Sequence, residues 1–246
     1  MSEYVFKPEG GLGNTLIQLT TLDKNNTKLH KSIEDYEFSN CIVINGFDIV
    51  DYDGTQPNVT IYINNYTIQH VHPKIRDIIK PTPFMEKMIQ DNLHLLEGVC
   101  CGMSIRRGSY SADSRQYKDA RSDQPAFYHC SDNGLEKFRK LIKDAPGKIF
   151  LSSDSKSTLR NLKEEFGDKL VSIDDDDKFV IGMSQDTDET ICVENYHTIY
   201  LKFFLFSKCP QLFLTGGNTD LVGFSTYAYI AAIYGNKPFK LIFNNE

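Results

Sequence analysis

From residue 99 to the C-terminus, short apolar runs alternate with amphipathic stretches, and this alternation limits the possible folds more than any other feature. VCCGMSI (99–105) is an apolar run of the buried-strand kind. After a long polar stretch, NGLEKFRKLIKDA places Leu135, Phe138, Leu141 and Ile142 on one helix face. KIFLSS then predicts a second strand. The helix after it carries Leu159, Leu162 and Phe166 on one face, with Ser155 or Ser157 placed to cap it and Gly167 to end it. LVSID, the helical stretch around TICVENYHTIYLKFFLFSKC, QLFLTGG, STYAYIAAIYG and FKLIF continue the series. Such a succession predicts an α/β fold: a parallel sheet with helices on both faces, whose ligands sit beyond the carboxyl ends of the strands. Function is therefore sought in the residues that follow each strand.

The first hundred residues carry a shorter version of the same pattern. Tyr4-Val5-Phe6 is followed by EGGLGNTLIQLT, which predicts a strand, a tight glycine turn and a helix. CIVIN (41–45) and VTIYI (59–63) predict two more strands, and FMEKMIQDNLHLL, after Pro81-Thr82-Pro83, predicts a helix closed by Gly98. With 40% apolar and 12% aromatic residues, the 246-residue chain can fill a substantial core. Its net charge of −6 argues against a protein built to grip nucleic acid. Six cysteines, two of them adjacent and none in a C-x-x-C pair, suggest neither a zinc site nor a disulfide framework, so reduced thiols are expected. The opening MSEYVFKPEG lacks the features of a leader, and no apolar stretch approaches the roughly 20 residues of a membrane span. The expectation is a cytoplasmic protein.

Glycines at a strand-to-helix turn suit close approach by an anion, because a helix N-terminus presents unpaired N–H groups. Gly11-Leu12-Gly13 is nevertheless followed by Leu16 where a dinucleotide fingerprint needs its third glycine, and no Gly-Lys-Ser/Thr closes a P-loop. Arg106-Arg107 after VCCGMSI is unusual at the end of a buried strand; a guanidinium there can fork onto phosphate oxygens, or pair with a nearby carboxylate. Ser153-Asp154-Ser155 after KIFLS offers a helix cap or acceptors for ribose and base. Thr215-Gly216-Gly217-Asn218 and GFST, with Gly223, Ser225 and Thr226, outline another helix N-terminus open to phosphate. D-x-D triplets at Asp51/Asp53 and Asp186/Asp188 would suit a metal-dependent transferase but follow no long buried strand, and His70 with His72 fit a polar strand better than a metal site. Asp174 to Asp177 suit a solvated loop, and Tyr196, Tyr200, Phe203 and Phe204 a core.

Taken in order, GGLGN, SIRRGSY, FLSSDS and GFSTYAYIAAIYG resemble the α1,2/α1,6/protein-O-fucosyltransferase superfamily, and most of all its bacterial-type α1,2-fucosyltransferases. These four anchors span nearly the whole chain. The resemblance implies a GT-B-like pair of Rossmann-like α/β domains, 1–97 on the acceptor side and 98–246 holding the donor nucleotide, with the sugar nucleotide in the cleft between them. It further implies an inverting glycosyltransferase that needs no metal or other cofactor and moves a sugar, foremost fucose from GDP-fucose, to a hydroxyl of a glycan acceptor. Arg106 matches the arginine on the diphosphate, Arg107 its neighbour, and Asn14 the amide after the glycine turn of Gly11 and Gly13. Asp154, beside Ser153, matches the acidic residue near the nucleoside, and Ser225 with Thr226, following Gly223, match the phosphate-facing helix start. The family's histidine is Ser104 here, its motif aspartate Ser109, and its glutamine Thr15; Asp113 is the nearest carboxylate that could act as base. Three readings stay open: a fucosyltransferase, a transferase of the same fold using another donor such as a UDP-sugar, and a catalytically silent nucleotide- or glycan-binding protein. The source implied is a bacterial or virus-infected cell.

Overall fold

The computed structural model describes residues 4–6, 12–22, 25, 27–30, 41–50, 58–59, 75–107, 129–173, 193–217 and 225–245. The first half runs β1 (Tyr4–Phe6), α1 (Leu12–Thr21), β2 (Thr27–His30), β3 (Ile42–Ile44), β4 (Ile49–Val50), β5 (Asn58–Val59), α2 (Ile75–Ile78), β6 (Ile79–Pro81) and α3 (Pro83–Asp91). The second runs β7 (Val99–Ile105), α4 (Asp132–Asp144), β8 (Lys148–Ser153), α5 (Lys156–Phe166), β9 (Leu170–Val171), α6 (Val193–Phe206), β10 (Leu212–Gly217), α7 (Thr226–Gly235) and β11 (Phe239–Phe243).

Each half holds a parallel sheet with its first strand inside. The first has the order β4-β2-β1-β5 and the second β11-β10-β7-β8-β9. In the second, the chain goes from β7 outward to β8 and β9, then returns to the other side of β7 for β10 and β11. The boundary between β7 and β10 is thus a topological switch point, where connections leave in opposite directions, the place at which open α/β sheets form a crevice beyond the carboxyl ends of their strands. In β8 alternate residues serve opposite faces: Ile149 and Leu151 pack under α4 and α5 with Phe138, Ile142 and Leu162, while Phe150 joins the cluster of Tyr200, Phe203 and Phe204 on α6. The aromatics expected to be core are core, since Tyr200, Phe203 and Phe204 are all buried.

The helices begin and end where local chemistry directs. Thr82, Ser131 and Ser155 cap α3, α4 and α5 by accepting from the N–H of Met85, Gly134 and Thr158. The helix expected to run through residue 96 stops at Asp91 and gives way to a 3₁₀ turn, Leu93–Leu96. Asn92 explains the break, because its side-chain amide donates back to the Met88 carbonyl and offers the chain an alternative to the α ladder. LVSID shortens to the two-residue β9. The sequence reading also lacked β2 and β4, and it missed α2 and β6. The latter pairs antiparallel with β3 and ends on Pro81, a residue tolerated only at a sheet edge.

The sheets lie on either side of residue 98, but the packing is continuous across it. One apolar cluster takes in Leu16, Ile17 and Leu19 of α1, Met85 and Ile89 of α3, and Ala228, Ile230 and Ala231 of α7. The Arg76 side chain of α2 donates from Nε to the Tyr234 carbonyl at the end of α7 at 2.5 Å, a favoured place for a cation. Its other end meets α1. A Cβ on Gly13 would lie 2.3 Å from the Tyr227 backbone nitrogen, so only glycine admits the first turn of α7 this close. No helix among the described residues is long and apolar enough to cross a membrane.

Candidate active site

The switch point between β7 and β10 brings together Arg106, Ser153, Asp154 and Ser225 of the sequence-predicted residues. The β7 strand ends at Ile105, so Arg106 emerges at its carboxyl edge. The Arg106 N–H donates to Thr215 Oγ1 at 3.0 Å, and the same hydroxyl donates to the Ser104 carbonyl at 3.1 Å. Thr215 also accepts, at its backbone carbonyl, the N–H of Ser225, the residue before α7. One threonine therefore joins the end of β7, the end of β10 and the start of α7. Next door, past the end of β8, Asp154 accepts the Arg107 N–H at 2.7 Å through Oδ1 and faces the Arg106 guanidinium at 3.5 Å through Oδ2.

The two adjacent arginines diverge. Arg106 keeps about a third of its side chain exposed (34%), at the crevice, where a guanidinium can meet an anion. Arg107 is 5% exposed and turns toward α4, where Nη2 reaches Asp132 Oδ1 at 2.7 Å; Asp132, in the first helical turn, is itself 76% exposed. Arg106, matched to the diphosphate, and Arg107, its neighbour in the motif and likewise assigned to the donor nucleotide, thus diverge, one outward and one into the scaffold. The reason is the strand: successive residues leaving an extended chain point to opposite sides.

Ser153 and Asp154 are likewise occupied in part by the scaffold. The Ser153 hydroxyl donates to the Ile105 carbonyl at 2.8 Å and accepts the Ser155 N–H at 3.2 Å. Ser225 is buried at the N-cap of α7, and its side chain makes no capping bond, unlike those of Ser131 and Ser155. Thr226 stands half-buried in the first turn beside it. Gly13 joins this group from the other half through its contact with α7, and Asn14 follows it in α1, its side chain outside the description. Gly11, Ser109, Asp113 and Gly223 lie outside the described residues, as do Asp51, Asp53, His70, His72, Asp174 to Asp177, Asp186 and Asp188.

Sequence reasoning overlooked Asn244. Only 7% exposed, it follows β11 and gathers three segments: its Oδ1 accepts the Ser131 N–H at 2.9 Å, its Nδ2 donates to the His129 carbonyl at 2.9 Å, and its N–H donates to the Gly217 carbonyl at 2.8 Å. Cys130, held within this group, donates its own N–H to the Arg106 carbonyl at 2.7 Å. Asn244 thereby fixes the chain that returns after the stretch following Arg107. The rule of inspecting residues after strands would have found it, had it been applied to the last, edge strand.

The thiols near the site are poor nucleophiles. Burial pushes Cys130 up to about 12, outweighing the nearby Arg107 guanidinium, and burial likewise raises Cys41, Cys101 and Cys209 to about 12. Among the described residues, no group of three or more His, Cys, Asp or Glu is placed to hold a metal ion. What the arrangement offers chemically is a cation with an acidic partner beside the start of α7, a setting suited to a phosphate-bearing ligand.

No family model matches the chain, and no curated protein matches it significantly. Solved structures do. The NodZ α-1,6-fucosyltransferase co-crystallised with GDP superposes with a TM-score of 0.57 at 12% identity, over 94% of this chain and 92% of that one. The fucosyltransferase NodZ from Bradyrhizobium gives 0.56 at 12% identity over the same shares, 94% and 92%. NodZ soaked with GDP-fucose gives 0.54 at 12%, over 95% of this chain and 93% of that one. At this identity the likeness is one of fold, and it extends over nearly the full length of both chains: the protein has the α/β, parallel-sheet architecture of GT-B fucosyltransferases.

Proposed function

We propose that the protein is an inverting, metal-independent glycosyltransferase that moves fucose from GDP-fucose to a hydroxyl of a glycan. The observation that carries this reading is the placement of Arg106, backed by Asp154 and tied through Thr215 to the start of α7, at the switch point of the second sheet. The four sequence anchors and a fold shared with a fucosyltransferase that was crystallised with GDP support it.

In the reaction, the acceptor oxygen attacks the anomeric carbon from the side opposite the diphosphate. The bond from that carbon to the diphosphate oxygen breaks, and the acceptor proton passes to a base. Arg106 binds the diphosphate and stabilises the negative charge that grows on it as it leaves. Asp154 holds the guanidinium in place, with its remaining acceptor capacity directed to the nucleoside. The helix start at Ser225 and Thr226 adds backbone N–H groups to the phosphate site. Gly11, Gly13 and Asn14 bring the first half against the donor, and Asp113 takes the acceptor proton.

Calorimetric titration of the wild type and Arg106→Ala with GDP, UDP, GDP-fucose and common UDP-sugars tests this assignment. Guanine-nucleotide preference is expected, weakened roughly 10- to 100-fold in the variant, as befits loss of charge-assisted hydrogen bonds. A preference for UDP would replace the donor, and a folded wild type that binds no nucleotide would overturn the reading. The α1,2 likeness comes from the sequence anchors, whereas the structural neighbour is an α1,6 enzyme, so the acceptor screen must offer both hydroxyls.

A second reading is favoured by one observation. Ser104, standing where the family has its histidine, is buried in β7 with its carbonyl taken by Thr215. A protein lacking that histidine could bind the nucleotide and turn nothing over. Nucleotide binding without either transfer or slow donor hydrolysis would establish this alternative.

A further inference from the structure

At the opposite end of β7 from Arg106, the strand carries an irregularity with chemistry of its own. Val99 pairs with Lys148 and Cys101 with the next residue, Ile149, so Cys100 is an extra residue, a bulge in the parallel ladder. Without it, Val99 and Cys101 would face the same side. Instead Val99 belongs to the apolar cluster of α6 and α7, while Cys101 belongs to that of α4 and α5. Cys100 packs against that second cluster too. The bulge therefore puts two consecutive side chains on one face, with Sγ atoms 3.9 Å apart, where a regular strand would hold them on opposite faces. Cys100 is the more accessible, half-buried against Cys101 at 4% exposure, and it lies beside Gly147, where a Cβ would come within 2.9 Å of the Gly98 carbonyl oxygen and 3.3 Å of the Cys100 Cβ.

We infer that Cys100 and Cys101 form a peroxide-sensitive vicinal thiol pair, which closes to a disulfide within the bulge of β7 and reopens on reduction. The accessible Cys100 sulfur attacks a hydroperoxide, whose O–O bond breaks; one oxygen stays as the sulfenic acid and the other leaves as the alcohol or water. The Cys101 sulfur then attacks the sulfenic sulfur, the S–S bond forms, and the hydroxyl departs with the Cys101 proton as water. Burial raises the Cys101 pKa to about 12, so Cys101 does not compete for the peroxide, and it attacks the sulfenic sulfur only as its proton passes to the departing hydroxyl, 3.9 Å separating the two sulfurs beforehand. Neighbouring Cα atoms are only about 3.8 Å apart, closer than disulfides prefer, so the bond is strained and easily reduced. The bulge residue makes closure feasible at this point, because the ladder gives Cys100 no register partner in β8 to lose.

The test is mass spectrometry of the folded wild-type chain exposed to hydrogen peroxide, acid-quenched, denatured, alkylated and digested. The peptide holding Cys100 and Cys101 is expected to lose two hydrogens and take up no alkyl group, with both thiols restored by dithiothreitol, while Cys41, Cys130 and Cys209 alkylate fully. In Cys101→Ser the reaction stops at a Cys100 sulfenic acid that dimedone traps; in Cys100→Ser, Cys101 stays unmodified. The inference is overturned if both thiols of the treated wild type still alkylate, if Cys100 pairs with Cys209 instead, or if Cys100 advances to sulfinic acid with Cys101 free.

Discussion

In the first sheet β1 lies between β2 and β5 and is three residues long; in the second, β7 lies between β8 and β10 and is seven. The central strand in each leads to a functional motif, GGLGN after β1 and Arg106-Arg107 after β7. Here the two regions part. The first half presents glycine and passes at once into a helix, so what it brings to the contact is bare backbone. The second presents charge, held by carboxylates just past the end of β8 and in the first turn of α4. Backbone is placed by sterics, which act at contact distance, whereas a guanidinium must be placed by partners that hold its length and charge. Gly13 needs only the absence of a side chain. Arg106 needs Asp154 and Thr215.

The sharpest way to break this comparison is to give the first half a side chain. Gly13→Val would press Cβ and two methyls into the first turn of α7, already 2.3 Å from the Tyr227 nitrogen at Cβ alone. Because the obstacle is backbone on both sides, destabilisation of about 3 kcal/mol or more is expected, with loss of nucleotide binding; urea denaturation measures it. A variant as stable as wild type would show that α1 and α7 can part at little cost.

The adjacent arginines come next, and they should separate stability from binding. Arg107→Ala removes a buried side chain with its bond to Asp132, and about 2 kcal/mol of stability should go with it. Arg106→Ala should leave the denaturation midpoint almost unmoved, since its side chain is one-third exposed, and should lose nucleotide affinity instead. The same pattern in both variants would mean that the split between crevice and scaffold is wrong.

These contrasts also explain what could be read in the sequence. The second half was legible because its strands and helices are long enough to show their period. VCCGMSI forms β7 over the very residues expected, and Leu135, Phe138 and Ile142 are buried on one face of α4. The first half was legible only in outline, since strands of two to four residues show no alternation and β6 is ended by a proline. The candidates Arg106, Ser153 and Asp154 stood out for the same reason, as they lie at the ends of long strands. What the sequence hid was direction: that Arg107 turns inward, that Gly13 meets a helix, and that Asn244 binds side-chain and backbone partners 111 to 115 positions away as well as Gly217. Such partners are set by tertiary packing, which leaves no local period behind.

Alkaline titration tests how the second half handles its thiols. Cys130 has its pKa raised from 9.0 to about 12 by burial, so the unfolded chain loses its proton first. Its stabilising effect is full below pH 9 and is lost as pH rises toward about 12. Over that window, under reducing conditions, Cys130→Ala should flatten the decline in unfolding free energy by about 1.4 kcal/mol per pH unit. An unchanged slope would show that water reaches the thiol.

The smallest effects bear on whether the halves unfold together. Thr82 caps α3 in the first half and Ser155 caps α5 in the second, at 3.2 and 3.3 Å, and replacing either by alanine should remove about 1 kcal/mol. The size matters less than where it is felt. Because one apolar cluster joins α1 and α3 to α6 and α7, the chain should unfold in a single transition that both substitutions shift alike. Two transitions in calorimetry, with Thr82→Ala moving only one and Ser155→Ala only the other, would mean that the packing across residue 98 is an interface between two independent cores. Gly13 would then hold two domains in contact, and the first half's preference for backbone over charge would be that of a docking surface.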